Sequence, residues 1–74
     1  MTKTEVLEMG FQLTKHYRHD EWETYRYTKG VIQVEFTYVI ETGELDTRDV
    51  TIDEVVGKKM DLKALNSLDE ILNK

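Results

Sequence analysis

VIQVEFTYVI, residues 31–40, is the stretch whose alternation decides the fold. Ile32, Val34, Phe36, Tyr38 and Ile40 fall on one side of an extended strand, with Gln33, Glu35 and Thr37 on the other. A side-chain period of two held over ten residues predicts a central strand with one buried face. Downstream, Glu41-Thr-Gly-Glu44 reads as a hairpin loop, and Leu45 to Ile52 returns antiparallel with Val50 and Ile52 inward. Residues 55–60, VVGKKM, read either as a hairpin carrying a short fifth strand or as a loop.

Upstream, Lys29-Gly30 marks a tight turn, and Trp22 to Thr28 supplies a β-rich run with Trp22, Thr24 and Arg26 opposite Glu23, Tyr25 and Tyr27. Arg18 to Glu21 form a charged loop, and before it Phe11, Leu13, Lys15 and Tyr17 alternate with Gln12, Thr14 and His16 as a first strand. At the start of the chain Thr2 and Glu5 match a capping box, predicting a short helix from Lys3 to Met9 closed by Gly10, with Phe11 packing back on it.

At the other end Leu62, Leu65, Leu68, Ile71 and Leu72 share a helical face behind an Asp61 cap. Ser67 and Glu70 form a second possible capping box, which would split the segment into a turn and a separate helix. A helix this short is marginal alone, so its stripe must cover the sheet. The expected fold is a small two-layer α+β domain spanning residues 1–74, an antiparallel meander of about four strands with both helices on one face, in the order α-β-β-β-β-α.

Seventy-four residues make at most one compact domain with a small core. The chain has no proline, repeat or linker, and without cysteine there is no disulfide, thiolate ligand or thiol nucleophile. That fits a reducing, cytoplasmic setting. Glu5 and Glu8 interrupt any secretory segment, and apolar runs such as Val39-Ile40 and Val55-Val56 are two residues long, so no membrane association is expected.

Fifteen acidic against ten basic residues give a net charge of −5, which opposes binding held mainly by phosphate contacts. The charge is uneven. Glu41, Glu44, Asp46, Asp49, Asp53 and Glu54 form an acidic surface stretch with only Arg48 as counter-charge. Residues 15–29, KHYRHDEWETYRYTK, are nearly balanced and hold both histidines, the tryptophan and three of the four tyrosines.

Four kinds of chemistry can be set against these residues. Metal binding by His16, His19 and Asp20 would need both histidines to flank a turn, because positions three apart on a strand point to opposite faces, and a further ligand from Glu21, Glu23 or another chain; no metal or other cofactor is expected. Catalysis lacks parts: Ser67 is the sole serine, far from either histidine, the paired carboxylates lie in turns, and glycines at 10, 30, 43 and 57 build no phosphate loop.

Single-stranded nucleic-acid binding could use Tyr17, Trp22, Tyr25 and Tyr27 interleaved with Arg18, Arg26 and Lys29, opposed by Asp20, Glu21 and Glu23 within the same stretch. The acidic stretch instead suits a decoy that occupies the basic groove of a nuclease or DNA-binding protein.

The favoured expectation is a non-catalytic protein–protein interaction or accessory module. Its binding residues are Tyr17, Arg18, Trp22, Tyr25, Arg26 and Tyr27, and a homodimer is one possible assembly. The same aromatics could equally finish a monomer's core. No stretch carries a family motif; in length, acidity and absence of proline and cysteine the chain is similar to the small open reading frames of phages and mobile elements of Gram-positive bacteria, a likeness that transfers no residue.

Overall fold

The alternating stretch becomes the middle of a five-stranded sheet. A computed structural model of the chain describes residues 1–52, 55–56 and 61–73, with the backbone alone for 52, 55 and 56. The elements are α1 (Lys3–Glu8), β1 (Gln12–Arg18), β2 (Trp22–Lys29), β3 (Ile32–Val39), β4 (Leu45–Ile52), β5 (Val55–Val56) and α2 (Leu62–Leu72). The strands lie in chain order, each antiparallel to the next. The α+β meander is thus the expected one, and the short fifth strand is present.

Both helices cover the same sheet face. Val6 of α1 and Leu65 of α2 are buried in one cluster with Phe11, Tyr27, Ile32, Val34, Phe36 and Val50. The register explains the company, since Tyr27, Val34 and Val50 are cross-strand neighbours, as are Tyr25, Phe36 and Arg48. Tyr38 packs partly against the cluster, whereas Ile40, expected at the end of the buried series, has left the strand for the β3–β4 turn. The inward placement expected for the Ile52 side chain falls outside the described side chains.

Thr2 and Glu5 form the capping box that starts α1, with 2.9 and 3.2 Å reciprocal bonds. Gly10 follows at φ +95°, and the Phe11 amide donates to Val6 O at 3.1 Å, turning the chain back onto the core. The N-terminal arm lies on the sheet: Arg48 Nη1 donates to Met1 O at 3.0 Å, and Lys3 Nζ sits 4.2 Å from the Tyr25 ring centroid.

One local expectation is corrected, and one alternative that the sequence leaves open is decided. In β1 the pairing with β2 slips between Leu13 and Lys15, so one extra residue re-phases the strand. Leu13 and His16 therefore share the helix-covered face, while Lys15 and Tyr17 share the other, in place of Leu13, Lys15 and Tyr17 together. At the C-terminus, α2 is a single helix rather than a turn and a helix. Asp61 caps it by accepting from the Ala64 amide at 2.8 Å, and Ser67 donates to Lys63 O inside the helix instead of capping a second one. Leu65 of its stripe is buried and Leu68 packs against the core, but Ile71 is 72% and Leu72 40% exposed. Among the described residues no helix is long and apolar enough to cross a membrane.

The helical layer is fastened to the sheet by a polar clasp. Lys29 Nζ donates to Asp69 Oδ2 at 2.5 Å and to Met9 O at 2.7 Å, joining β2 to both helices. Asn73, just past α2, donates to Lys29 O at 2.8 Å and accepts from the Val31 amide at 3.3 Å. The Lys29 ammonium, aided by Asn73, holds the Asp69 carboxyl below its ordinary value of 3.8, burial opposing.

A depressed folded-state value contributes stability that is present above the unfolded value and lost as pH falls through the folded one. Melting temperatures should therefore drop as pH is lowered below about 4, and Asp69→Asn should flatten that acid limb while costing stability near neutral pH. Parallel acid limbs in the two proteins would remove the clasp as the cause.

Candidate interaction surface

The meander divides the six expected binding residues between two faces. Tyr27 is 5% exposed and belongs to the core, edge-on to Phe36 with ring centroids 5.9 Å apart. Tyr25 is on the same face, stacked on His16 at 4.3 Å and edge-on to Tyr38 at 6.0 Å. Arg18 is in register with Glu23 there, at the sheet margin. Only Tyr17, Trp22 and Arg26 share the helix-free face. A row of base-stacking aromatics needs one face, and this set does not provide it.

The histidines also part. His16 Nε2 lies 2.7 Å from Glu23 Oε1 on the helix-covered face, and this hydrogen bond is the main reason the Glu23 carboxyl titrates below its ordinary 4.5. His19, in the β1–β2 turn, meets Tyr17 edge-on at 5.3 Å. Burial pushes the phenols of Tyr25, Tyr27 and Tyr38 upward, so all three stay neutral at physiological pH.

The helix-free face is built of cross-strand rows. Gln12, Thr28, Gln33 and Thr51 form one; Lys15, Arg26, Glu35 and Asp49 the next; Tyr17, Thr24, Thr37 and Thr47 the third. The middle row runs from two cations to two carboxylates, and Arg26 binds Glu35 through Nε at 2.9 Å and Nη2 at 2.7 Å. In the third row Thr24, only 3% exposed, meets Thr37 hydroxyl to hydroxyl at 3.0 Å. Beside these, Thr28 meets the Thr14 hydroxyl at 2.8 Å.

The end of that face is different. Trp22 pairs with Val39, and beside them the β1–β2 and β3–β4 turns come together, as alternate turns of a meander must. The Ile40 amide donates to Glu21 O at 3.0 Å, tying turn to turn, while the Val39 amide donates to Glu44 O at 2.9 Å and the Gly43 amide to Val39 O at 2.7 Å. The pairing of β3 with β4 slips between Thr37 and Tyr38, which leaves Asp46 as an extra residue at this end.

The result is a groove of about 540 Å³ with Trp22, Val39 and Ile40 as apolar lining and Asp20, Glu21, Glu41 and Asp46 as acidic rim. Trp22 is 42% exposed. Among the described residues none of the four rim carboxylates makes an ion pair or a side-chain hydrogen bond.

The expected acidic surface is thereby dispersed. Glu41 and Asp46 join the groove, Glu44 is exposed in the β3–β4 turn, and Asp49 closes the charged row beside Glu35. Asp53 and Glu54 lie outside the described residues. Sequence reasoning missed Asp20 and Glu21 as partners of Glu41 and Asp46. The available signal was topological: consecutive hairpins place the first and third turns at one end of the sheet. Comparisons with protein-family models, with curated proteins and with solved structures find no match.

Proposed function

We propose that this chain is a non-catalytic binding module that recognises another protein through the Trp22 end of its helix-free sheet face. The carrying observation is the groove itself, where the molecule's one tryptophan is partly exposed among other apolar side chains. Exposed aromatic anchors set in a concavity are what dominates protein interfaces, and along the rest of this face Arg26 pairs with Glu35 and Thr24 with Thr37.

A second copy is a poor occupant, because each chain carries a net charge of −5 and the groove is ringed by carboxylates. Pairing of β1 edges is also opposed, by the slip after Leu13 and by Lys15 and Arg18 along the exposed strand. The second reading, an acidic inhibitor that occupies the nucleic-acid groove of a nuclease or DNA-binding protein, is favoured by the same four carboxylates. The two readings share a surface and differ in what the partner otherwise binds.

A photo-crosslinking amino acid at Thr47, exposed and adjacent in sequence to Asp46, is expected to trap a discrete adduct in host cells, while the same group at exposed Asn66 on α2 traps none. Adducts at both positions, or at neither, would defeat the proposal. An adduct of twice the 8.8 kDa chain mass would assign the surface to self-association.

A further inference from the structure

We infer that the Trp22 groove seats an arginine side chain presented by an extended basic segment of the partner protein; the inference rests on the binding-module reading above and names the occupant of that surface. Charge pairing across the molecule supplies the first step. Three carboxylates set on or over the sheet have a basic partner in contact: Glu23 with His16 at 2.7 Å, Glu35 with Arg26 at 2.7 Å, Asp69 with Lys29 at 2.5 Å. The groove is lined by Asp20, Glu21, Glu41 and Asp46 beside its apolar residues, and none of the four has such a partner among the described residues. Arg18 and His19 line an adjoining hollow that shares Asp20, Glu21 and Trp22 with the groove, but neither forms an ion pair with those carboxylates, and Arg18 is in register with Glu23 on the other sheet face.

The missing counter-charge must also suit an indole. A hydrated metal ion would use the carboxylates and waste the tryptophan, since hard cations take oxygen ligands. A lysine ammonium is a strongly hydrated point charge. A guanidinium is planar and weakly hydrated, stacks on an aromatic face, and donates in a fork that matches carboxylates on either side.

The groove's volume of about 540 Å³ lies within the range of roughly 300–1,000 Å³ typical of ligand pockets. That leaves room for the arginine and parts of its neighbours, so an extended segment is the fitting carrier. Polyanions are repelled by the same rim, which separates this occupant from nucleic acid.

The test uses the full chain and three labelled heptapeptides, Ala-Arg-Gly-Arg-Gly-Arg-Ala and its lysine and norleucine counterparts. Trp22, as the sole tryptophan, reports occupancy through its own emission. The arginine peptide is expected to give a saturable change, to bind about tenfold more tightly than the lysine peptide, and to weaken as salt is raised.

Glu41→Gln with Asp46→Asn, both exposed, should weaken binding about tenfold at unchanged melting temperature, and Trp22→Phe should weaken it by anisotropy. Equal affinity for the arginine and lysine peptides with no effect of Trp22→Phe would overturn the inference, as would the same emission change with calcium or magnesium chloride alone. Absence of peptide binding together with a discrete Thr47 adduct would overturn the arginine occupant and leave the binding module standing. Peptide binding without that adduct would uphold the groove's preference and overturn the module reading.

Discussion

Phe36→Ala is expected to remove most of the fold's stability. Phe36 is fully buried at the centre of β3, edge-on to Tyr27, in register with Tyr25 and Arg48, and beneath the layer formed by α1 and α2. Truncating a buried phenylalanine costs about 3–5 kcal/mol, the lost transfer energy plus the cavity left behind. A chain of 74 residues has about 4–11 kcal/mol in total. The variant should therefore show a far lower urea midpoint by far-ultraviolet circular dichroism, and at the low end of that range it is unfolded in water.

Trp22→Phe provides the contrast, because it trims a larger aromatic that is exposed on the other face; its unfolding free energy should change by no more than about 0.5 kcal/mol. If Phe36→Ala cost under about 1 kcal/mol, the core would not be centred where both helices meet β3. The pair separates an aromatic that holds the fold from one left over for recognition.

The same contrast shows what could be read in advance. Residues 31–40 announced β3 because ten residues of period-two alternation have no helical interpretation, while the Thr2–Glu5 capping box marked α1 and the apolar stripe behind Asp61 marked α2. The slip after Leu13 was not legible: nothing local distinguishes QLTKHYR as a bulged strand, and the extra residue is chosen by pairing with β2, a long-range event.

The division of the aromatics was half legible. The alternation of β2 already set Trp22 opposite Tyr25 and Tyr27, but which side the helices would cover depended on the register of β3. The groove was the least legible part, because Asp20 and Glu21 are separated from Glu41 and Asp46 by two whole strands. Counted along the chain, the first two looked like neutralisers of a basic stretch; folded, they reinforce an acidic rim. Ser67 shows the opposite failure, a local motif that tertiary packing overrode, since α2 gains more from one continuous stripe than from a second cap.

Gly30→Ala is expected to be the most damaging change at any turn, and for two separable reasons. Gly30 sits at φ +57°, a conformation that costs an ordinary L-residue about 1–2 kcal/mol. A Cβ there would also lie 1.9 Å from Asn73 Oδ1 and 2.6 Å from its Cγ. Asn73 is flexible enough to swing aside, but only by giving up its bonds to Lys29 O and the Val31 amide. Each such bond contributes about 0.5–1.5 kcal/mol net, so the total loss should reach about 2–5 kcal/mol.

Gly43→Ala isolates the first term. Its φ is +73° and nothing lies within 4 Å of the added methyl, so about 1 kcal/mol is expected. A double-mutant cycle isolates the second: once Asn73→Ala has already released the clasp, adding Gly30→Ala should cost no more than Gly43→Ala does. Strict additivity of Gly30→Ala and Asn73→Ala in urea melts would show that the β2–β3 turn and the end of α2 are energetically independent, and that the contact between them fastens nothing.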